Sequence, residues 1–266
     1  MRLAPQGDTL WVLCSEPGQI ARIALDSFRT DLRLPLPAPP AGFDLSADGR
    51  TGVVTHGAEG SVSFLDLAAG RVLGTVQAGN NTGEVRFRMD GKIALAADLD
   101  RRLVCVLDTA TGKLITSLQI AVQPEHFCFK PDGGEVFVTG AGMDAVVIIN
   151  PYYTEVAETV LAGRAPGAMA FSRSPEYLFV ANPPAGDVTI LDPETRKVVA
   201  VVAVGLDPGY VTLTPGDEYA LVLNRRSGTM ALIRPAAVVP RRAREAPLFT
   251  TIPVVSQPLH AAVLAV

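Results

Sequence analysis

Short apolar runs separated by turn residues recur along this chain at one spacing. The stretch Glu176–Asp192, EYLFVANPPAGDVTILD, shows the unit. Tyr177, Leu178, Phe179 and Val180 carry the aromatic and branched side chains that suit a strand. Pro183, Pro184 and Gly186 interrupt it, and Val188 to Leu191 open a second strand, so the stretch predicts a β-hairpin. Two further apolar runs flank the hairpin. The unit therefore predicts four strands, at Met169–Ser172, Tyr177–Ala181, Val188–Leu191 and Lys197–Val204. The unit before it predicts Phe127–Lys130, Val136–Thr139, Ala145–Ile149 and Glu155–Leu161.

The spacing is regular. Leu3, Leu45, Phe87, Phe129, Phe171 and Leu213 lie 42 residues apart. Asp66, Asp108, Asn150, Asp192 and Arg234 also lie 42 apart, each after an aliphatic residue. Asp48-Gly49, Asp90-Gly91 and Asp132-Gly133 repeat in step as turns, where glycine accepts positive φ. A fixed period of this length built of strands is the mark of propeller blades, which share one continuous core. The expected fold class is thus all-β, a β-propeller of four-stranded blades with strands A to D running from inner to outer. One domain, 1–266, is expected, with blades near 1–41, 42–83, 84–125, 126–167, 168–209 and 210–258. Phe87, Phe129 and Phe171 are expected on the core face of strand A.

Two features depart from the period. Pro258–Val263 aligns with Pro124–Phe129, so 259–266 reads as a further strand A with no B, C or D after it. Either the chain is six blades of a seven-blade ring, with hairpins upstream of Met1, or the ring closes with six. An insert at Pro235–Pro247, between strands C and D of the last unit, carries Arg241, Arg242 and Arg244. It is expected to be a solvated loop or a docking patch.

Composition narrows the functions. Net charge is −4 with 19% charged residues, which argues against a nucleic-acid surface as the main role. No apolar run approaches the roughly 20 residues of a membrane span. The three cysteines, Cys14, Cys105 and Cys128, lie in apolar strand patterns and read as free thiols. Met1 leads directly into Arg2-Leu3-Ala4-Pro5, without the regions of a signal peptide. Asn80-Asn81-Thr82 is an Asn-x-Thr sequon, relevant only in a glycosylating compartment. No phosphate loop, nucleophile elbow, zinc motif or haem motif is present. No catalytic residue, metal or cofactor is expected.

Candidate chemistry falls in two columns that meet at one face of the blades. The first closes strand B: Cys14, His56, Asp98, Gly140, Asn182 and Asn224. The second opens strand A: Gly42, Glu84, His126, Ala168 and Tyr210, with His260 at the matching place after the insert. Loops at one mouth of a propeller are where a rigid scaffold presents side chains. His56, Glu84, Asp98, His126, Asn182, Tyr210, Asn224 and His260 are therefore the candidate ligand-binding residues. Capping of strand ends is the alternative for Asn182 and Asn224, since Asn readily bonds nearby backbone. His56 with Glu84 and Asp98 could supply nitrogen and oxygen ligands, but a metal or acid–base site needs convergence as well as a shared face.

Phe179-Val180-Ala181-Asn182 followed by Thr189-Ile190-Leu191-Asp192 resembles the YVTN family of β-propeller repeats. Phe137-Val138-Thr139-Gly140 with Ile148-Ile149-Asn150 is similar, as is the turn Lys130-Pro131-Asp132-Gly133. Leu221-Val222-Leu223-Asn224 keeps the Asn but closes on Arg234. The resemblance implies a seven-blade ring and a periplasmic or secreted protein. It does not name a function, because propellers host unrelated activities. Two functions stay open. One is a non-enzymatic propeller, expected to be a monomer, that binds a protein, a peptide or a small molecule at the mouth. The other is a lactonase-like hydrolase with a His, Asn and acidic site there.

Overall fold

The computed structural model describes residues 1–238 and 246–261. These form six four-stranded antiparallel sheets, each with its strands in chain order. The chain divides into two compact units, Met1–Glu125 and His126–Val266, at the junction between the third and fourth repeats. The first unit holds three sheets. They are β1 (Arg2–Leu3), β2 (Thr9–Cys14), β3 (Gln19–Ala24) and β4 (Arg29–Pro35); β5 (Gly42–Leu45), β6 (Thr51–Thr55), β7 (Ser61–Asp66) and β8 (Arg71–Gln77); and β9 (Thr82–Phe87), β10 (Ile93–Asp98), β11 (Leu103–Asp108) and β12 (Lys113–Gln119). The second unit holds β13 (His126–Phe129), β14 (Val136–Thr139), β15 (Ala145–Asn150) and β16 (Glu155–Leu161); β17 (Met169–Phe171), β18 (Leu178–Asn182), β19 (Asp187–Asp192) and β20 (Lys197–Ala203); and β21 (Pro208–Leu213), β22 (Ala220–Asn224), β23 (Thr229–Ile233) and β24 (Leu248–Pro253). Each sheet is one propeller blade.

Turn chemistry sets the blades. Gly49, Gly91 and Gly133 adopt φ of 69°, 69° and 73° in the turns between the first two strands. Their N–H groups donate to Ser46, Arg88 and Lys130 three residues back. The recurrent Asp or Asn that closes the third strand caps the next turn. Asp66 accepts from the N–H of Ala69, Asp108 from Thr111, Asn150 from Tyr152, and Asp192 from Glu194. Local side-chain to backbone bonds of this kind hold the chain reversal without help from the core.

In blades two to five the second and third strands are buried on both faces, so they read as continuous apolar runs, whereas β2, β3 and β23 are mostly half-buried. Val136–Thr139 and Leu178–Asn182 are buried throughout. Successive sheets within a unit pack face to face. In the first unit Val53, Phe64, Val85, Cys105 and Leu107 form one cluster, and Trp11, Ile20, Phe43 and Leu65 another. In the second unit Phe137, Ile148, Leu178 and Val180 cluster, as do Phe179, Val188, Val211 and Ile233. The outer strands are largely exposed.

Strand A buries a different position from the one expected. Phe87 is buried, but Phe129 and Phe171 are only half-buried. Phe43, Val85, Phe127 and Val211, two residues earlier on the same face, are the buried ones. Phe129 and Phe171 close their strands, next to the turn, and Phe171 still meets Phe137 of the preceding sheet edge to face, with ring centroids 5.0 Å apart. Cys105 is buried, Cys14 and Cys128 are half-buried, and all three are free thiols. The insert after β23 begins with a short 3₁₀ turn, Pro235–Val238, and Arg241, Arg242 and Arg244 lie outside the described residues. Of the proposed terminal strand 259–266, only Leu259–Ala261 are described, and they join no sheet among the described residues.

Candidate functional site

Strand register brings the two candidate columns to the same end of each sheet. Thr82 lies opposite Asp98, His126 opposite Thr139, and Pro208 opposite Asn224. The columns nevertheless do different things.

The strand-B column points inward. His56 is buried, with Nδ1 3.0 Å from the Ala38 carbonyl and Nε2 2.7 Å from Ser63 Oγ. A carbonyl only accepts, so Nδ1 carries the proton and Nε2 accepts from the Ser63 hydroxyl. Ser63 Oγ lies 2.8 Å from Thr75 Oγ1, which extends the chain of bonds to the outer strand. A serine hydroxyl on a histidine is also the start of a nucleophile pair. Here Ser63 is itself fully buried, and the group orienting the imidazole is a carbonyl instead of a carboxylate. Burial pushes the His56 pKa below its ordinary value, only partly opposed by the bonds to Ala38 and Pro39.

Asp98 is buried and accepts three backbone N–H groups, from Asn80 at 3.1 Å, Asn81 at 3.5 Å and Arg101 at 3.4 Å. Asn182 is buried and donates from Nδ2 to Asp187 Oδ1 at 2.7 Å and Thr189 Oγ1 at 2.8 Å. Asn224 donates to the Val204 carbonyl and to Thr229 Oγ1, both at 3.0 Å. Each of these three side chains lies against a glycine 19 residues before it, in the connection from the preceding blade. A Cβ on Gly79 would sit 2.5 Å from Asp98 Oδ2, on Gly163 2.1 Å from Asn182 Nδ2, and on Gly205 2.7 Å from Asn224 Nδ2. His56, Asp98 and Asn224 are thus struts, tying the end of a second strand to the chain that enters its blade, whereas Asn182 bonds within its own hairpin and packs against Gly163. The Oδ1 atoms of Asn182 and Asn224 are buried and have no hydrogen-bond partner among the described residues.

The strand-A column stays closer to solvent. Glu84 is one-fifth exposed and pairs with Arg86 at 2.5 Å. His126 and Tyr210 are half-buried, and His260 is exposed. Tyr210 and His260 come together edge to face, with ring centroids 5.0 Å apart. The Tyr210 hydroxyl donates to the Ala261 carbonyl at 3.3 Å. His56 and Asp98 engage separate loops. Among the described residues, no group of three or more His, Cys, Asp or Glu is placed to hold a metal ion.

One charged row was not anticipated. Arg2, Asp44 and Arg86 occupy the same place on β1, β5 and β9, 42 residues apart. Asp44 Oδ1 lies 3.2 Å from Arg2 Nε and 3.8 Å from an Arg86 terminal nitrogen, and its Oδ2 accepts from the Phe87 N–H at 2.9 Å. Burial pushes the Asp44 pKa up to about 6 against the pull of Arg2. The repeat arithmetic that located the strands could have found this row. The corresponding positions of the second unit, Cys128, Ala170 and Thr212, are uncharged.

Clefts open at the opposite end of the blades. In the second unit one of about 660 Å³ is lined by Lys130, Glu135, Tyr177, Asp192 and Arg196. In the first unit a cleft of about 400 Å³ is lined by Ser46, Thr51, Asp90 and Thr109. The Arg196 guanidinium forks onto both oxygens of Glu135, and Lys130 pairs with Asp132 at 2.9 Å and Glu176 at 3.3 Å. Most of the charge in the larger cleft is therefore already neutralised.

No protein-family model matches the chain. No curated protein matches its sequence. Solved structures do match in fold. One is the hydrazine synthase of Kuenenia stuttgartiensis, at 16% identity over 95% of this chain and 85% of that one, with a TM-score of 0.78. Another is a functionally unknown protein from Desulfotomaculum acetoxidans, at 14% identity over 85% of this chain and 75% of that one, with a TM-score of 0.73. Likeness at this identity is a likeness of fold.

Proposed function

We propose that this chain is a non-catalytic binding propeller of the YVTN repeat type, which holds a protein, peptide or small ligand at the face where the first strands begin. The division of labour between the two columns supports this. His56, Asp98, Asn182 and Asn224 spend their polar atoms inside the blades. Glu84 in the first unit, and His126, Tyr210 and His260 in the second, retain exposure.

The Tyr210–His260 pair carries the reading. Its rings are in contact, one of them is exposed, and the tyrosine is anchored by its hydroxyl. Rigid aromatic side chains with a polar tip give much contact area for little entropy cost, which is why they dominate recognition surfaces.

A thermal-shift screen of the intact protein against peptides and small molecules tests this reading. A genuine ligand should lose its stabilisation in Tyr210→Ala and in His260→Ala, and keep it in Tyr153→Ala, in the turn after the third strand of the fourth blade. Ligands whose shifts survive both substitutions would place binding elsewhere. Steady lactone turnover by the purified protein would replace binding with the hydrolase reading.

A further inference from the structure

The fourth strand of every blade ends its sheet, leaving a row of backbone donors and acceptors facing outward. Such edges invite pairing with another chain, and proteins blunt them with charges, prolines or other interruptions. Within the strand, β4 has Asp31, Arg33 and Pro35, β16 has Glu158 and β24 has Pro253; β8 and β12 carry charge only at their first residues, Arg71 and Lys113, but break their apolar runs with Gly74-Thr75 and Thr116-Ser117. β20 also opens on a charge, Lys197, but its run is unbroken. After Lys197 it reads Val-Val-Ala-Val-Val-Ala, and no charged residue follows until Asp207. Val198 is 45% exposed and Val201 59%. The bulge between Ile190 and Leu191 disturbs only the start of the strand, and Ala200–Ala203 stay in regular register with Asp187–Ile190.

We propose that β20 is a self-pairing edge, through which two copies of this chain associate antiparallel about a two-fold axis. The strand is complementary to itself. Such an axis places side chains of the same face opposite each other. Centred on Val201, it sets Val201 against its own copy, Ala200 against Val202 and Val199 against Ala203. Lys197 falls beside Gly205 of the other copy, so no charge opposes a like charge. Pairing at such an edge runs through backbone hydrogen bonds, and the apolar side chains of a second copy match those of the edge residue for residue. The contact is small, so association should be weak and concentration-dependent. The inference rests on β20 alone and is independent of the Tyr210–His260 face.

Sedimentation velocity of the full chain from about 1 to 100 µM, the range where weak interfaces dissociate, tests it. The weight-average mass should rise from monomer toward dimer. Val201→Lys, which installs the missing edge charge, should hold the protein monomeric with its melting temperature unchanged. Leu161→Lys, on the β16 edge, should leave association intact. If Val201→Lys does not fold, Ala203→Lys serves the same purpose. A monomer across the whole range overturns the proposal, even where a foreign peptide pairs with the strand. So does a dimer that survives the β20 lysine, or one lost equally in Leu161→Lys.

Discussion

The Asp98 carboxylate accepts the backbone N–H of Asn80 at 3.1 Å, and the two residues belong to different repeats. This bond joins the end of one blade to the second strand of the next. Asp98→Ala would strand the N–H groups of Asn80, Asn81 and Arg101 beside a buried void. Unpaired buried donors cost about 1–3 kcal/mol, so we expect a loss of about 2–3 kcal/mol in urea unfolding. Asp98→Asn, which keeps one acceptor oxygen, should lose about half as much. A change below about 0.5 kcal/mol in Asp98→Ala would remove the strut from the account.

Gly163 and Gly74 make a matched pair. A Cβ on Gly163 meets the Asn182 amide at 2.1 Å, whereas a Cβ on Gly74 meets nothing within 4 Å. Gly163→Ala should destabilise by more than about 2 kcal/mol, since a well-packed site yields only by displacing the asparagine. Gly74→Ala on exposed β8 should be neutral or stabilise by about 0.5–1 kcal/mol, through lost freedom of the unfolded chain. Thermal melts of the two variants compare them directly, and equal melting temperatures would contradict the packing.

Acid should act on the first unit in two opposed ways. The folded-state pKa of His56 is lowered, so the unfolded chain takes up the proton first as pH falls. The stability from neutral His56 is present above its unfolded value near 6.5 and is lost as pH drops through the folded value. Asp44 runs the other way, with its pKa raised from 3.8 to about 6 in the fold. Its contribution is fully present below the unfolded value and is lost as pH rises through about 6. Between those values Asp44 offsets the loss from His56. We expect Asp44→Asn to melt with a steeper decline from neutral pH toward 4.5 than the wild type, and His56→Gln with a shallower one. Parallel curves for all three proteins would refute this balance.

Phe127 and Phe129 stand two residues apart on one face of β13, yet only Phe127 is buried, at 4% exposure. Phe127→Ala should cost about 3–5 kcal/mol, the range for a core phenylalanine, and Phe129→Ala distinctly less. Denaturant titration of the two variants reads the difference. The reverse order would mean that the depth of the inner strand is misassigned.

What the chain determined by itself is the part built from local chemistry. The 42-residue spacing, the Asp-Gly turns and the Asp or Asn closing each third strand act within a few residues of themselves. Val136–Thr139 and Glu155–Leu161 were therefore legible to the residue, and the other strands of blades four and five to within one residue at either end. Tertiary structure alone decided what the polar residues at the strand ends do. His56 and Asp98 share a column with nothing local to separate a strut from a ligand-binding group. Their roles come from backbone 18 or 19 residues back that the fold lays against them, at Ala38 and at Gly79. The Arg2–Asp44–Arg86 row formed for the same reason. Its members meet only when three inner strands stand side by side, and only burial among them moves the Asp44 proton into the range of ordinary pH.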